Sequence, residues 1–102
     1  EAGREMDRTL GFRVRPITPE LARQFELDER DGVVVTSVDR YGAAAAAGVR
    51  PGQVLLRIGG TPVDTVRDVE DAVEGIESGD VVSLRVRVQG MGETVINFRV
   101  RG

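Results

Sequence analysis

The sequence predicts an α+β domain: five or six antiparallel strands forming a partly open barrel or sandwich, with two longer helices and one short helical turn. Three stretches carry that expectation. The run Val33-Val34-Val35-Thr36-Ser37-Val38 is β-branched almost throughout, the composition of a central, well-buried strand. Val82, Leu84, Val86 and Val88 alternate with Ser83, Arg85 and Arg87; a Gly90-Met91-Gly92 turn follows, and residues 95–100 return as the second arm of a hairpin. Between them Val66, Val69, Ala72, Val73 and Ile76 recur at the spacing of a helix with one apolar face. Antiparallel strands with a few helices on their open sides form a small layered domain.

Taken in order, residues 1–8 are charged and aperiodic and read as a linker or frayed end, leaving residues 9–102 as the domain. Phe12 and Val14 then alternate with Arg13 and Arg15, the period of a half-buried strand, and Pro16 stops it. Gly11, just before, permits dihedrals that turn successive N–H groups to one side, a nest that attracts an anion. An anion nest at the mouth of a strand suits the carboxylate end of an extended peptide. Taken alone, Leu10-Gly11-Phe12 reads first as a plain turn into an edge strand; the rest of the chain is what favours the nest.

Thr18-Pro19-Glu20 opens a helix, expected over residues 18–27: threonine caps it and proline takes the first helical position. Leu21, Ala22, Phe25 and Leu27 would form its buried stripe. Residues 28–32 (Asp-Glu-Arg-Asp-Gly) form a turn. Its acids do not make a calcium loop: with Gly32 sixth, the first and twelfth positions fall on Leu27 and Val38, neither an oxygen donor. Five alanines, Ala43 to Ala47, read as one helical turn packed close to the sheet, with Gly48 suited to its C-cap. Pro51-Gly52 turns the chain into a strand at residues 54–58, and Gly59-Gly60 turns it again into a short segment, Thr61-Pro62-Val63. Asp64 or Thr65 caps the long helix, expected from Val66 to about Ile76. Its polar residues Arg67, Asp68, Asp71 and Glu74 lie opposite the apolar face, and Glu70 sits at the boundary. If the Phe12 strand forms the sheet edge beside this helix, an apolar groove runs between them, and a bare edge becomes a docking slot.

Composition narrows the function. One domain of 102 residues with 40% apolar residues can fold on its own. A net charge of −3 and a pI near 5.0 argue against a nucleic-acid partner. No stretch is long and apolar enough to span a membrane. The chain begins at Glu1 and reads as part of something longer, so its start says nothing about location. All 14 basic residues are arginine, with no histidine or cysteine. That excludes a Ser-His-Asp triad, a Ser-Lys dyad, a thiol nucleophile and a histidine or thiolate metal site within these residues. The chain is therefore expected to be no enzyme by itself and to need no cofactor.

At this point the sequence resembles a PDZ domain, of the circularly permuted kind attached to bacterial HtrA/Deg-type serine proteases. The resemblance covers residues 8 to 100. Arg8-Thr9-Leu10-Gly11-Phe12 resembles the family's carboxylate-binding loop, basic-x-apolar-Gly-apolar. Residues 32–38 resemble the strand after the extra helix, and residues 42–55 the small-residue turn and "GLRPGDVI"-like segment. Asp68-Val69-Glu70-Asp71-Ala72-Val73 resembles the helix that walls the groove. Ala43 stands where the family usually has proline, and Gln53 where it usually has aspartate. Both are turn positions, for which small stability effects are expected. Val66 replaces a histidine that many animal members use to read a serine or threonine hydroxyl.

The resemblance implies the site. The backbone N–H groups of Leu10, Gly11 and Phe12 would take a peptide carboxylate, with Arg8 as a supporting charge. Leu10, Phe12, Val14 and Val73 would line the pocket for the last ligand side chain, part core and part pocket. Val66 and Glu70 would line the next position, and the backbone of residues 12–15, Arg13 and Arg15 included, would supply the ladder. It also implies the partners: peptide or unfolded-protein C-termini or exposed apolar segments, a protease domain of the same parent chain, and homo-oligomers formed through that parent. The location it implies is the bacterial periplasm or cell envelope. Two other readings stay open: an inter-subunit assembly module, and a module of an intramembrane metalloprotease or tail-specific protease.

Overall fold

Val33 and Val35 point to one face of their strand and Val34 to the other, yet all three are fully buried. The sheet must therefore be covered on both sides. The computed structural model describes residues 10–100; the expected linker, residues 1–8, lies outside the described residues. The order is β1 (Phe12–Pro16), α1 (Pro19–Gln24), β2 (Val33–Val38), α2 (Ala43–Ala47), β3 (Val54–Ile58), β4 (Thr61–Pro62), α3 (Val66–Glu74), β5 (Val81–Val88) and β6 (Gly92–Arg99). All six strands join one antiparallel, open sheet in the order β1-β2-β3-β5-β6, with β4 paired to β3. The α+β architecture read from the sequence is the one found, with β2 inside the sheet.

Two clusters cover the two faces. The larger gathers Leu10, Phe12, Val14, Val33, Val35, Leu55, Val69, Val73, Leu84 and Phe98 beneath α3. The smaller joins Ile17 and Leu21 to Val34 and Val54, with Phe25 and Leu27 packed on it, and is closed by α1. Gly52 sits at the seam: its φ is +95°, and a Cβ there would come within 3.1 Å of the Phe25 ring. Glycine meets both demands.

Both expected helices are shorter than the sequence pattern implied. Thr18 caps α1 as expected, its hydroxyl oxygen accepting from Leu21 N–H at 3.1 Å. The helix nonetheless stops at Gln24, so it is a turn and a half rather than a long element. Leu27 N–H bonds Ala22 O at 2.8 Å and Glu26 N–H bonds Arg23 O at 3.3 Å, the pair of bonds of a Schellman ending. Glu26 takes the left-handed position, φ +56°, normally given to glycine. That conformation costs an L-residue about 1–2 kcal/mol. Glu26→Gly should therefore stabilise the domain by up to about 1 kcal/mol, the gain being offset by the added freedom of the unfolded chain. Chemical denaturation checks this, and a destabilised variant would show that the Glu26 side chain has a role of its own.

The long helix α3 starts at Val66 as read but ends at Glu74 instead of near Ile76. Thr65, not Asp64, is its cap, and Asp68 completes a capping box. The Asp68 carboxylate accepts the backbone N–H groups of Asp64 and Thr65 at 2.9 and 3.1 Å, which holds its pKa below the ordinary carboxylate value. This contribution is complete above the ordinary carboxylate range and is lost as pH falls through the depressed value. The second hairpin arm starts earlier than expected, at Gly92, the residue assigned to the turn.

Gln53 proves more than a turn position. It is 8% exposed, the single buried polar residue among those described. Its Oε1 accepts Arg50 N–H at 3.2 Å and its Nε2 donates to Gly48 O at 3.1 Å, closing the loop between α2 and β3. An aspartate there could accept but not donate.

Candidate functional site

β1 is an edge strand: β2 pairs with one side, and α3 packs across from the other. The edge runs along the mouth of the core. Phe12 and Val14 are 0% and 5% exposed, whereas Arg13 and Arg15 face solvent, so the expected alternation holds. Backbone polarity follows the same period. Gly11 O accepts Asp39 N–H at 2.9 Å, Arg13 O accepts the Thr36 hydroxyl at 3.5 Å, and Ile17 N–H bonds Gly32 O at 2.9 Å. These odd positions turn toward β2, so the N–H and C=O groups of Phe12 and Val14 turn to the open edge. Pro16 is next in that series and has no N–H to offer. It ends the ladder and guards the edge against uncontrolled pairing.

The ladder is thus narrower than residues 12–15 taken together: Phe12 and Val14 carry it, and Arg13 and Arg15 supply side chains on the outer face. Thr36 is skipped between Val14↔Val35 and Arg13↔Ser37, a bulge that no feature of β2 alone announces. At the mouth, Gly11 has φ +81°, and the Asp39 N–H ties its carbonyl back to the end of β2. The turn is therefore held, and the conformation required of a nest is present at its glycine. Arg8 lies outside the described residues.

The side chains expected to line the terminal pocket come together, but deeper than expected. Leu10, Phe12, Val14 and Val73 all belong to the main core cluster, none more than 6% exposed. Val66 and Glu70 are half-buried, one turn apart on α3. On the sheet's far edge Arg87 bonds Glu93 at 2.7 Å and Glu29 at 3.1 Å, and Gln89 bonds Glu29 at 2.9 Å. Arg87 holds the Glu93 carboxyl below its ordinary pKa. This network pins the loop before β2 to the outer hairpin and takes no part in the groove. Among the described residues no acidic cluster could hold a metal ion.

Comparison with known proteins agrees with this geometry. Residues 9–96 match the PDZ domain family. A periplasmic serine endoprotease, DegP-like, of Bartonella henselae is 30% identical over 86 residues, covering 84% of this chain and 17% of that protein. Its counterpart in Halomonas elongata is 31% identical over 81 residues, covering 79% and 17%. The chain therefore spans about a sixth of the length of these relatives. Among solved structures, the HtrA-type protease AlgW with a decapeptide superposes with a TM-score of 0.80 at 34% identity, over 90% of this chain and 28% of that one. The HtrA3 PDZ domain bound to a phage-derived ligand gives 0.69 at 23% identity, over 89% and 82%, and supports the fold.

Proposed function

Because the chain belongs to the PDZ domain family, with HtrA/DegP-type serine endoproteases as its relatives, we propose that it binds peptide C-termini as an added strand on β1. The observation that carries this is the β1 edge itself. Two outward backbone positions face α3, a proline closes one end, and a glycine at φ +81° opens the other. An antiparallel peptide whose carboxylate rests on the N–H groups of Leu10, Gly11 and Phe12 sets its last and third-from-last side chains toward α3. Arg8 adds a supporting positive charge. In this reading the chain is the recognition module of a serine endoprotease whose catalytic domain lies elsewhere in the parent. It delivers substrate to that domain or regulates it, in the periplasm or cell envelope.

A fluorescence titration tests the reading. A labelled peptide ending in valine with a free carboxylate should bind saturably in the micromolar range, roughly −7 to −8 kcal/mol. No binding at millimolar domain would overturn it.

The outer face of β1 refines the ligand. The second- and fourth-from-last ligand side chains fall beside Arg13 and Arg15. Aspartate or glutamate there should be mildly preferred, by about 0.2–1 kcal/mol each and less at high salt. Replacing both arginines with glutamate should invert the preference and keep the apolar terminal requirement. Loss of all binding at unchanged stability would instead place the arginines in the groove, one residue out of register.

A further inference from the structure

We propose that Glu70 makes the groove select a long basic side chain, arginine or lysine, at the third residue from the ligand's end. This rests on the groove reading above. Helix α3 has two flanks. Ala72, Gly75 and Ile76 line a cleft of about 340 Å³ against Ile58, Gly59, Thr61 and Val81, on the side of β3 and β4. The buried stripe of Val69 and Val73 separates that flank from the other. At 3.6 residues per turn the opposite flank carries Val66 and Glu70 and turns toward β1.

Glu70 stands apart from its chemical peers. Four charged residues are half-buried among those described: Glu29, Asp68, Glu70 and Arg87. Glu29 and Arg87 bond each other, and Asp68 accepts two backbone N–H groups. Glu70 alone has neither a hydrogen bond nor an ion pair among the described residues. A carboxylate on the wall of the groove that has no protein partner is left to take a charge-assisted bond from a ligand cation beside it. Val66, one turn earlier, suits the methylene stem of such a side chain, whose charged head then reaches Glu70. A serine or threonine hydroxyl is too short to do both.

Four valine-ended peptides that differ only at the third residue from the end test this, with arginine, citrulline, leucine or glutamate at that position. Arginine should bind about fivefold tighter than citrulline, its neutral isostere, and glutamate should bind most weakly. Glu70→Gln should close the gap between arginine and citrulline without moving the melting temperature. Glu70→Arg should place glutamate above arginine. Equal binding of arginine and citrulline to the unmodified domain, or a gap that survives Glu70→Gln, overturns the assignment and leaves the groove reading intact. If none of the four binds, both fall.

Discussion

Amidating the C-terminus of a valine-ended peptide should weaken its binding at least tenfold. The bonds from the Leu10-Gly11-Phe12 N–H groups to a carboxylate are charge-assisted, and loss of each costs about 1.5–3 kcal/mol, a factor of ten or more. Gly11→Val should produce a comparable loss by a different route. A Cβ at Gly11 would meet nothing within 4 Å, so the substitution creates no collision. Its cost is that of holding a branched residue at φ +81°, about 1–2 kcal/mol. The loop can relieve that by rotating toward negative φ, which turns the N–H groups away from a common point. The variant should remain folded, with a small fall in melting temperature and affinity lowered more than tenfold. Equal affinity for acid and amide would reduce Leu10-Gly11-Phe12 to a turn. A large fall in melting temperature, with binding retained in the folded fraction, would show that Gly11 serves folding instead.

Most of this site is legible in a single sequence because its parts are local. The side-chain period of two places Phe12 and Val14 opposite Arg13 and Arg15 whatever the partner strand does. The cap of the long helix is narrowed locally to Asp64 or Thr65, and the hydrogen bond from Asp68 N–H to the Thr65 hydroxyl oxygen selects the second. The features that escaped depend on register or on contacts distant in sequence. That Phe12 and Val14 turn their backbone outward follows from bonds made by Gly11, Arg13 and Ile17 to Asp39, Thr36 and Gly32, which no local pattern contains. The early stop of α1 is hidden because glutamate, not glycine, occupies its left-handed ending. The role of Gln53 is hidden from a single sequence because its two partners are backbone groups. The helical period puts Glu70 at the boundary between the apolar and polar faces, and the structure half-buries it there. Its lack of a partner becomes visible only when the other half-buried charges are seen to be satisfied.

Phe12→Ala should destabilise the free domain by about 3–5 kcal/mol, the largest stability effect expected at any residue of the groove. Phe12 is fully buried in the main cluster together with Val69 and Val73 of α3, so its truncation opens a void beneath the wall of the groove. Against a total stability of about 5–15 kcal/mol, that is a large share, and at the low end of the range it leaves a measurable unfolded population. Urea denaturation should show a lower midpoint with an unchanged slope, the mark of lost stability without a change in the surface exposed. Phe12→Leu retains most of the volume and should cost less than about 1.5 kcal/mol. The pair of variants separates two roles that coincide in this side chain. If Phe12 acts through the core, apparent peptide affinity should fall only as the unfolded fraction grows, little for leucine and more for alanine, while affinity measured in the folded fraction is largely retained. A Phe12→Ala domain that lost less than about 1 kcal/mol yet bound no peptide would make Phe12 a pocket wall in direct contact with the last ligand side chain. Its burial in the free domain points the other way, to a groove whose backbone does the binding and whose floor is the hydrophobic core.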